Sequence, residues 1–584
     1  MNGGNLVAEV FKAHEIEAVF TLCGGHISPI LTACDQAGIQ VVDVRHEANA
    51  VFAADSLARI TGKVGVAVVT AGPGLTNTIT PVKNAQLAES PLLVIGGATA
   101  TLLKGRGSLQ DIDQMALMSP HVKFAASLRS TGEIIPTLER ALSEAKSGVP
   151  GPVFVEIPID LLYDEELVRN WYGAKSSQKD GSLMAKLMKW YLNRHVNKLF
   201  GDFPREIHIQ PRIPICPYPG DLEAQETAHL LKKSRRPVMI LGSQVMIHPG
   251  EIEDLQKALE SLSIPLYLSG MARGLLGKNH PLWMRHCRRE ALKEADLVIL
   301  AGVPVDFRLD YGRHIGHKAA LVMVNLSGAE LKRNRDITGR RRHSIRVLGD
   351  PLTFLVKLAR MAHIPQDKWK EWKEILGQRE TRREEEILQK SKEKLAEYMN
   401  PVKVCQELEK AIGEKAVLVA DGGDFVGTAS YIVRPRGPLT WLDPGVFGTL
   451  GVGAGFAMGA KLARPDHEVW ILYGDGSCGY SIIEFDTFVR HKIPVIAVVG
   501  NDGAWNQIAR EQKDILKSDL ATKLTHAQYH KVASALGGKG ILVDKEEDLP
   551  QALQRALKYY RQGHPVLVNC LLGQSDFRKG SISM

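Results

Sequence analysis

Residues 474–501 read GDGSCGYSIIEFDTFVRHKIPVIAVVGN. Two apolar runs, 469–473 and 494–499, have the length and composition of neighbouring buried strands. Each ends in a turn that carries an oxygen ligand, Asp475 after the first and Asn501 after the second. Residues 481–491 between them read as a crossover helix. Strand, helix and strand make a βαβ unit, which brings both strand ends to one edge of a parallel sheet. Ligands of such sheets bind at that edge. A carboxylate and an amide oxygen there suit Mg²⁺, which takes oxygen ligands and usually shares them with a phosphate. Gly476 and Ser477 leave backbone N–H groups for that phosphate. Gly-Asp-Gly alone is ordinary turn chemistry. Its pairing with Asn501 across one βαβ unit makes the pattern specific.

The same alternation of short apolar runs and helical stretches extends over most of the chain. Runs at 18–22, 41–44, 64–70, 91–95 and 153–157 define a first α/β domain, 1–170. Runs at 237–241, 265–268, 297–301 and 320–324 define a second, 236–365. Runs at 416–420, 469–473, 494–500 and 565–571 define a third, 401–584. The fold class is therefore α/β, with three doubly wound parallel-sheet domains. A chain of 584 residues accommodates three or four domains of ordinary size.

Composition narrows the function classes. The net charge of +8 is mild for this length, and no basic patch is interleaved with aromatic residues, which argues against nucleic acid. An anionic substrate or an anionic membrane surface fits the charge without being demanded by it. Seven scattered cysteines, none in a CxxC pair, read as a reducing compartment without structural zinc. No apolar run reaches the ~18 residues of a membrane span, and no signal peptide or Arg-rich transit segment opens the sequence.

Two linkers join the domains. Residues 366–400 are dense in Lys, Arg and Glu and read as a solvated helix. Residues 171–235 contain a basic amphipathic helix, 182–200 (SLMAKLMKWYLNRHVNKLF), with no acidic residue. Met184, Met188, Leu192, Val196 and Leu199 share one helical face, and Lys186, Lys189, Asn193 and Asn197 the other. Such a helix suits peripheral contact with a membrane, and it equally suits packing on its own domain.

Candidate site residues cluster at strand ends. In the first domain VRHE (44–47) ends a strand at Glu47, TAGPGLTN (70–77) is a Gly/Pro turn, Gly24-Gly25-His26 is another Gly-rich strand end, and GSLQ (107–110) carries Gln110. Taken alone, a Glu after a strand is more often a solvated loop residue. In the third domain DGGDF (421–425) follows a strand, and FGTLGVGAG (447–455) sets a bulky Leu450 among glycines.

The phrases RHEANAVFAADSLAR (45–59), TAGPGLTNT (70–78), GMARGLLGKNHPL (270–282), DGGDFVGTA (421–429), DPGVFGTLGVGAGFAMGAK (443–461) and EFDTFVRHKIPV (484–495) cover nearly the whole chain. In them the sequence resembles the acetolactate synthase-like branch of thiamine diphosphate (ThDP) enzymes, whose animal members act as 2-hydroxyacyl-CoA lyases. The resemblance implies a pyrimidine-binding, a central and a diphosphate-binding domain in that order. It implies that Glu47 activates the cofactor's pyrimidine and that Gln110 faces the reacting carbonyl. Pro73, Asn77, Gly423, Asp424, Phe425, Gly448, Leu450, Gly476 and Ser477 would contact the cofactor. Asp475, Asn501 and the Gly503 carbonyl would bind Mg²⁺, and Gly25, His26 and Gln110 would meet the substrate.

The same resemblance implies a homodimer or homotetramer, with the two halves of each cofactor held by neighbouring subunits. It implies an acyl-CoA substrate and cleavage to formyl-CoA and an aldehyde one carbon shorter, as in fatty acid α-oxidation. It also implies residence at the endoplasmic reticulum membrane, the cytoplasm being the alternative. Two rival readings stand beside it: condensation of 2-oxo acids, as in acetolactate synthases, and a non-catalytic scaffold. Asp424 and Phe425 stand where acetolactate synthases carry Gln-His, and Leu109 where they usually carry Phe; these departures argue against the first rival. The central domain lacks a GxGxxG fingerprint with an acidic partner, which argues against FAD. Asn325 stands where an acidic nucleotide contact would be natural, and an ADP-like site for the CoA moiety there is left open.

Overall fold

The computed structural model describes residues 1–176, 183–204, 206–338 and 343–579. The chain forms two compact units, residues 1–58 with 63–215, and 59–62 with 216–584.

The first unit is built on six parallel strands, β1 (Ala18–Thr21), β2 (Gln40–Asp43), β3 (Gly65–Val69), β4 (Leu92–Ala98), β5 (Phe124–Ser127) and β6 (Pro152–Pro158). Their order is β2-β1-β3-β4-β6-β5. The central strands are apolar at nearly every position and buried along their whole length, because helices cover both faces. Winding reverses between β1 and β3. The turns after these two strands, Gly24-Gly25-His26 and Thr70–Pro73, therefore flank the crevice where such sheets bind ligands.

The second unit holds two sheets. The five-stranded one comprises β7 (Pro237–Leu241), β8 (Leu266–Leu268), β9 (Leu297–Ala301), β10 (Ala320–Asn325) and β11 (Ser344–Leu348), in the order β11-β10-β9-β7-β8. The six-stranded one comprises β12 (Ala416–Ala420), β13 (Trp441–Leu442), β14 (Glu468–Gly474), β15 (Ile496–Asn501), β16 (Lys539–Val543) and β17 (Val566–Leu571), in the order β13-β12-β14-β15-β17-β16. Counted from its own first strand, this winding repeats that of the first unit. Its reversal point lies between β12 and β14, which end at Ala420 and Gly474.

Three local features differ from the sequence reading. The expected crossover helix 481–491 is instead a helix Asp475–Ser481, a short 3-10 turn and a helix Phe485–Arg490. Helix formation thus starts at Asp475 itself, with an acidic side chain in the first turn, where the helix dipole favours it. The charged connector forms a helix, Lys370–Lys390, but Trp372, Leu376 and Ile387 are buried along it. Trp372 donates its indole N–H to the Pro237 carbonyl (3.1 Å), so one face of the connector is docked. The basic helix spans Leu183–Phe200, and its apolar stripe divides. Val196, Leu199 and Phe200 join the core of the first unit, whereas Met184 and Met188 stay 72% and 50% exposed.

Candidate active site

In the first unit Glu47 opens the helix Glu47–Thr61 directly after β2 and is only 6% exposed. Its Oε2 accepts a hydrogen bond from the Asn77 amide at 2.9 Å. A Cβ on Gly74 would sit 3.5 Å from Oε1, so the GPG turn lies against the carboxylate. Gly72 has φ +62° and approaches Gln110 so closely that a Cβ would meet the Gln110 backbone at 2.8 Å. Gln110 is itself left-handed, with φ +64°. A non-glycine residue held there is strained, and such strain clusters at functional sites. Glu47, Pro73, Asn77 and Gln110 are thus linked through one turn.

His26 is also at this edge. Its Nδ1 lies 3.2 Å from Thr70 Oγ1, and burial lowers its affinity for a proton. Gly25 is exposed, and a Cβ on it would meet no atom within 4 Å. The loop is supported from below by two residues the sequence did not single out. Buried Gln114 accepts from the Gly72 N–H (3.2 Å) and donates to the Gly97 carbonyl and to Glu156 (2.9 Å). Glu156 is fully buried and is also paired with Lys104 and Ser127. Buried polar groups this well satisfied fix a geometry.

In the second unit Gly423, Asp424, Phe425, Gly448, Leu450, Asp475, Gly476 and Ser477 line one cavity of about 560 Å³. Asn501 is fully buried at the end of β15, and Gly503 follows in the next turn. The Asn501 amide nitrogen donates to the Ala527 carbonyl (3.0 Å) and to Asn569 Oδ1 (3.1 Å). Its oxygen is thereby turned the other way. Asp475 Oδ1 accepts from Gly476 N–H at 2.8 Å, and Tyr529 holds the Asp475 carbonyl. The remaining oxygens, Asp475 Oδ2 and Asn501 Oδ1, are buried without any hydrogen-bond partner.

Bare buried oxygens are costly, and this pair matches the donor set of a hard divalent cation. Among the described residues no group of three or more His, Cys, Asp or Glu is placed to hold a metal. A cation here would therefore complete its shell with backbone carbonyl, water or phosphate oxygens, as Mg²⁺ does. The Gly503 carbonyl already accepts from Leu524 N–H at 2.7 Å, and a carbonyl has a second lone pair to offer.

The cradle beside this pair is built by close packing onto glycine. A Cβ on Gly422 would collide with Leu450 Cδ2, and one on Gly476 with the Trp505 ring. Asp421, which the sequence reading quoted only as the head of its motif, holds the Leu450 loop. Its carboxylate accepts from Gly451 N–H (2.8 Å) and Gly453 N–H (2.7 Å), and burial pushes its pKa up to about 7. Arg273 also lines the cavity, stacked on Trp441 at 4.3 Å and bonded to the Ser430 carbonyl.

Asp424 accepts from Arg510 at 2.8 Å and faces Arg578 at 3.8 Å, so its charge is met within the protein. Phe425 is 2% exposed with its ring against Gly500, so it contributes an apolar wall. In the five-stranded sheet Asn325 is buried at the end of β10. Its oxygen accepts from Gln244 (3.0 Å) and Ser327 N–H (2.8 Å) and is spent inside the loop.

Three domain families match in order. Residues 1–117 match the thiamine pyrophosphate enzyme N-terminal TPP binding domain, 224–358 the central domain and 421–570 the C-terminal TPP binding domain. The chain is 50% identical over 588 residues to 2-hydroxyacyl-CoA lyase 2 of Danio rerio, covering 100% of this chain and 93% of the relative. It is 48% identical over 589 residues to 2-hydroxyacyl-CoA lyase 2 of Homo sapiens, covering 100% and 92%. A probable acetolactate synthase of Mycobacterium bovis is 33% identical over 576 residues, covering 98% and 96%. With its three matched domains and an identity of this depth along its whole length, the chain belongs to the thiamine diphosphate enzyme family.

Proposed function

We propose that the protein is a Mg²⁺- and ThDP-dependent carbon–carbon lyase that splits a 2-hydroxyacyl-CoA into formyl-CoA and an aldehyde one carbon shorter. The observation that carries this reading is the 50% identity to a 2-hydroxyacyl-CoA lyase over the full chain, against 33% to an acetolactate synthase. The substrate and the two products balance in atoms and electrons: the hydrogen lost from the 2-hydroxyl equals the one gained by the thioester carbon. ThDP, when bound, supplies the nucleophile and the electron sink.

The residues divide the rest of the work. Asp475 and Asn501 offer their bare oxygens to Mg²⁺, with the Gly503 carbonyl beside them. Gly423, Gly476 and Ser477 line the cavity and would present backbone to the diphosphate, and Leu450 packs over Gly422. Glu47 is the proton-handling group: Asn77 holds Oε2, and Oε1 faces the GPG turn where the pyrimidine would lie. Gln110, strained and packed on that turn, would orient the substrate carbonyl. Assembly as a homodimer or homotetramer belongs to the proposal, because the family resemblance implies that neighbouring subunits complete each site.

The test is release of aldehyde and formyl-CoA from a long-chain 2-hydroxyacyl-CoA, with and without ThDP and Mg²⁺. Cofactor-dependent release of both products supports the lyase. No cleavage by protein that binds ThDP, together with turnover of pyruvate alone, would replace it with 2-oxo acid chemistry.

Two further outcomes follow from the cradle. Burial pushes the Asp475 carboxyl up to about 6. The cation needs the carboxylate, so Mg²⁺ affinity is full above that pH. It falls about tenfold per pH unit below it. Calorimetric titration at pH 5 and pH 7.5 checks this, and equal affinities would exclude Asp475 as a ligand. Gly422→Ala is expected to push Leu450 out of place. Overpacking of this kind costs about 1–3 kcal/mol, or roughly 5–150-fold in ThDP affinity, readable in the same titration.

A further inference from the structure

We propose that the outer face of the helix Leu183–Phe200 is a docking surface for an anionic lipid bilayer. The helix carries two apolar rows. The inner one ends in Val196, Leu199 and Phe200 and is anchored in the core of the first unit. The anchor is reinforced by polar contacts: His195 lies 2.8 Å from Thr101 Oγ1, which bonds to the fully buried Asp160, and Thr131 donates to the Leu199 carbonyl.

The outer row is Leu183, Leu187 and Tyr191, spaced four apart on one face. These side chains are 75%, 53% and 49% exposed, and Trp190 beside them is 59% exposed. Exposed apolar groups this concentrated mark an interaction surface. One turn further, Arg194 and Lys198 continue the outer row, and Arg194 stacks on Trp190 with 5.5 Å to the ring centroid. Lys186 adds positive charge on the flank, and no carboxylate occurs from 181 to 201.

Long apolar side chains, a Trp and a Tyr at the boundary, and charge of one sign are the makings of a helix that lies in the headgroup region. A second copy of the chain is disfavoured, because a two-fold contact would set this face against itself and bring Lys and Arg together. The helix lies on the bilayer rather than through it, since among the described residues no helix is long and apolar enough to cross a membrane.

The experiment is cosedimentation of the full chain with vesicles of phosphatidylcholine alone or mixed with phosphatidylserine. Binding is expected only to the mixed vesicles, and it weakens with salt. Leu187→Glu/Trp190→Glu is expected to lose at least about tenfold of it. The milder Leu183→Ser/Leu187→Ser, with an unchanged circular dichroism melt, serves if the first variant unfolds. Absence of vesicle binding by the wild type, or equal binding by a folded variant, overturns the proposal. So does a drop in sedimentation coefficient of the variant without lipid, which would assign the face to a second copy.

Discussion

Glu47→Gln is expected to keep the fold and ThDP binding while turnover falls by about 10²–10⁴-fold, the usual worth of a positioned proton-transfer group. The side chain is nearly isosteric, and its amide oxygen can still accept from Asn77. What it loses is the ability to take up and release a proton at a site that is 6% exposed, where solvent cannot substitute easily. Calorimetric ThDP titration and steady-state turnover of the same preparation separate the two effects. Near-normal turnover would remove Glu47 from the mechanism, and lost ThDP affinity would reassign it to binding.

The second large effect is at the cation. Asp475→Ala is expected to weaken Mg²⁺-dependent ThDP binding by more than about 100-fold, since losing even a group that only orients a metal ligand costs about 10–100-fold. Among the described residues no group of three or more His, Cys, Asp or Glu is placed to hold the cation in its stead. The readout is ThDP binding itself, in the presence of Mg²⁺ or of a chelator, so it does not depend on which substrate is used. A variant that still binds ThDP as wild type does would show that the bare oxygens at Asp475 and Asn501 serve another purpose.

The sequence showed every interior strand and two of the six rim strands, β2 and β8. The four strands it did not single out, β5, β11, β13 and β16, each stand at the rim of their sheet. A rim strand is covered on fewer sides, and β5, β11 and β16 carry partly exposed positions. Their apolar signal is diluted accordingly. The same limit applies to the site. Glu47, Asp475 and Asn501 could be read because each sits at the end of a strand the sequence did show, β2, β14 and β15, or in the turn that follows it. Asp421, Gln114, Glu156 and Asn569 could not, because their importance lies in partners between 17 and 68 residues away in sequence. The Asp421 carboxylate bonds Gly451 and Gly453, and Asn569 orients Asn501. The helix Leu183–Phe200 shows a third case. Its periodicity identified one apolar row, while the choice between docking and exposure depends on tertiary packing, and packing divided it.

The two six-stranded sheets, wound in the same order, also bear on the history of the chain. One chain carrying the same winding twice is what duplication of an ancestral domain leaves behind. Strand by strand, the two sheets carry different residues at corresponding turns. After the second strand one copy has Glu47 and the other the loop that carries Leu450. After the third, one has the GPG turn and the other Asp475. Under the proposed function, proton chemistry and metal chemistry would then be separate inheritances. On that reading, a lineage would be able to alter its substrate at one sheet while keeping a cation at the other.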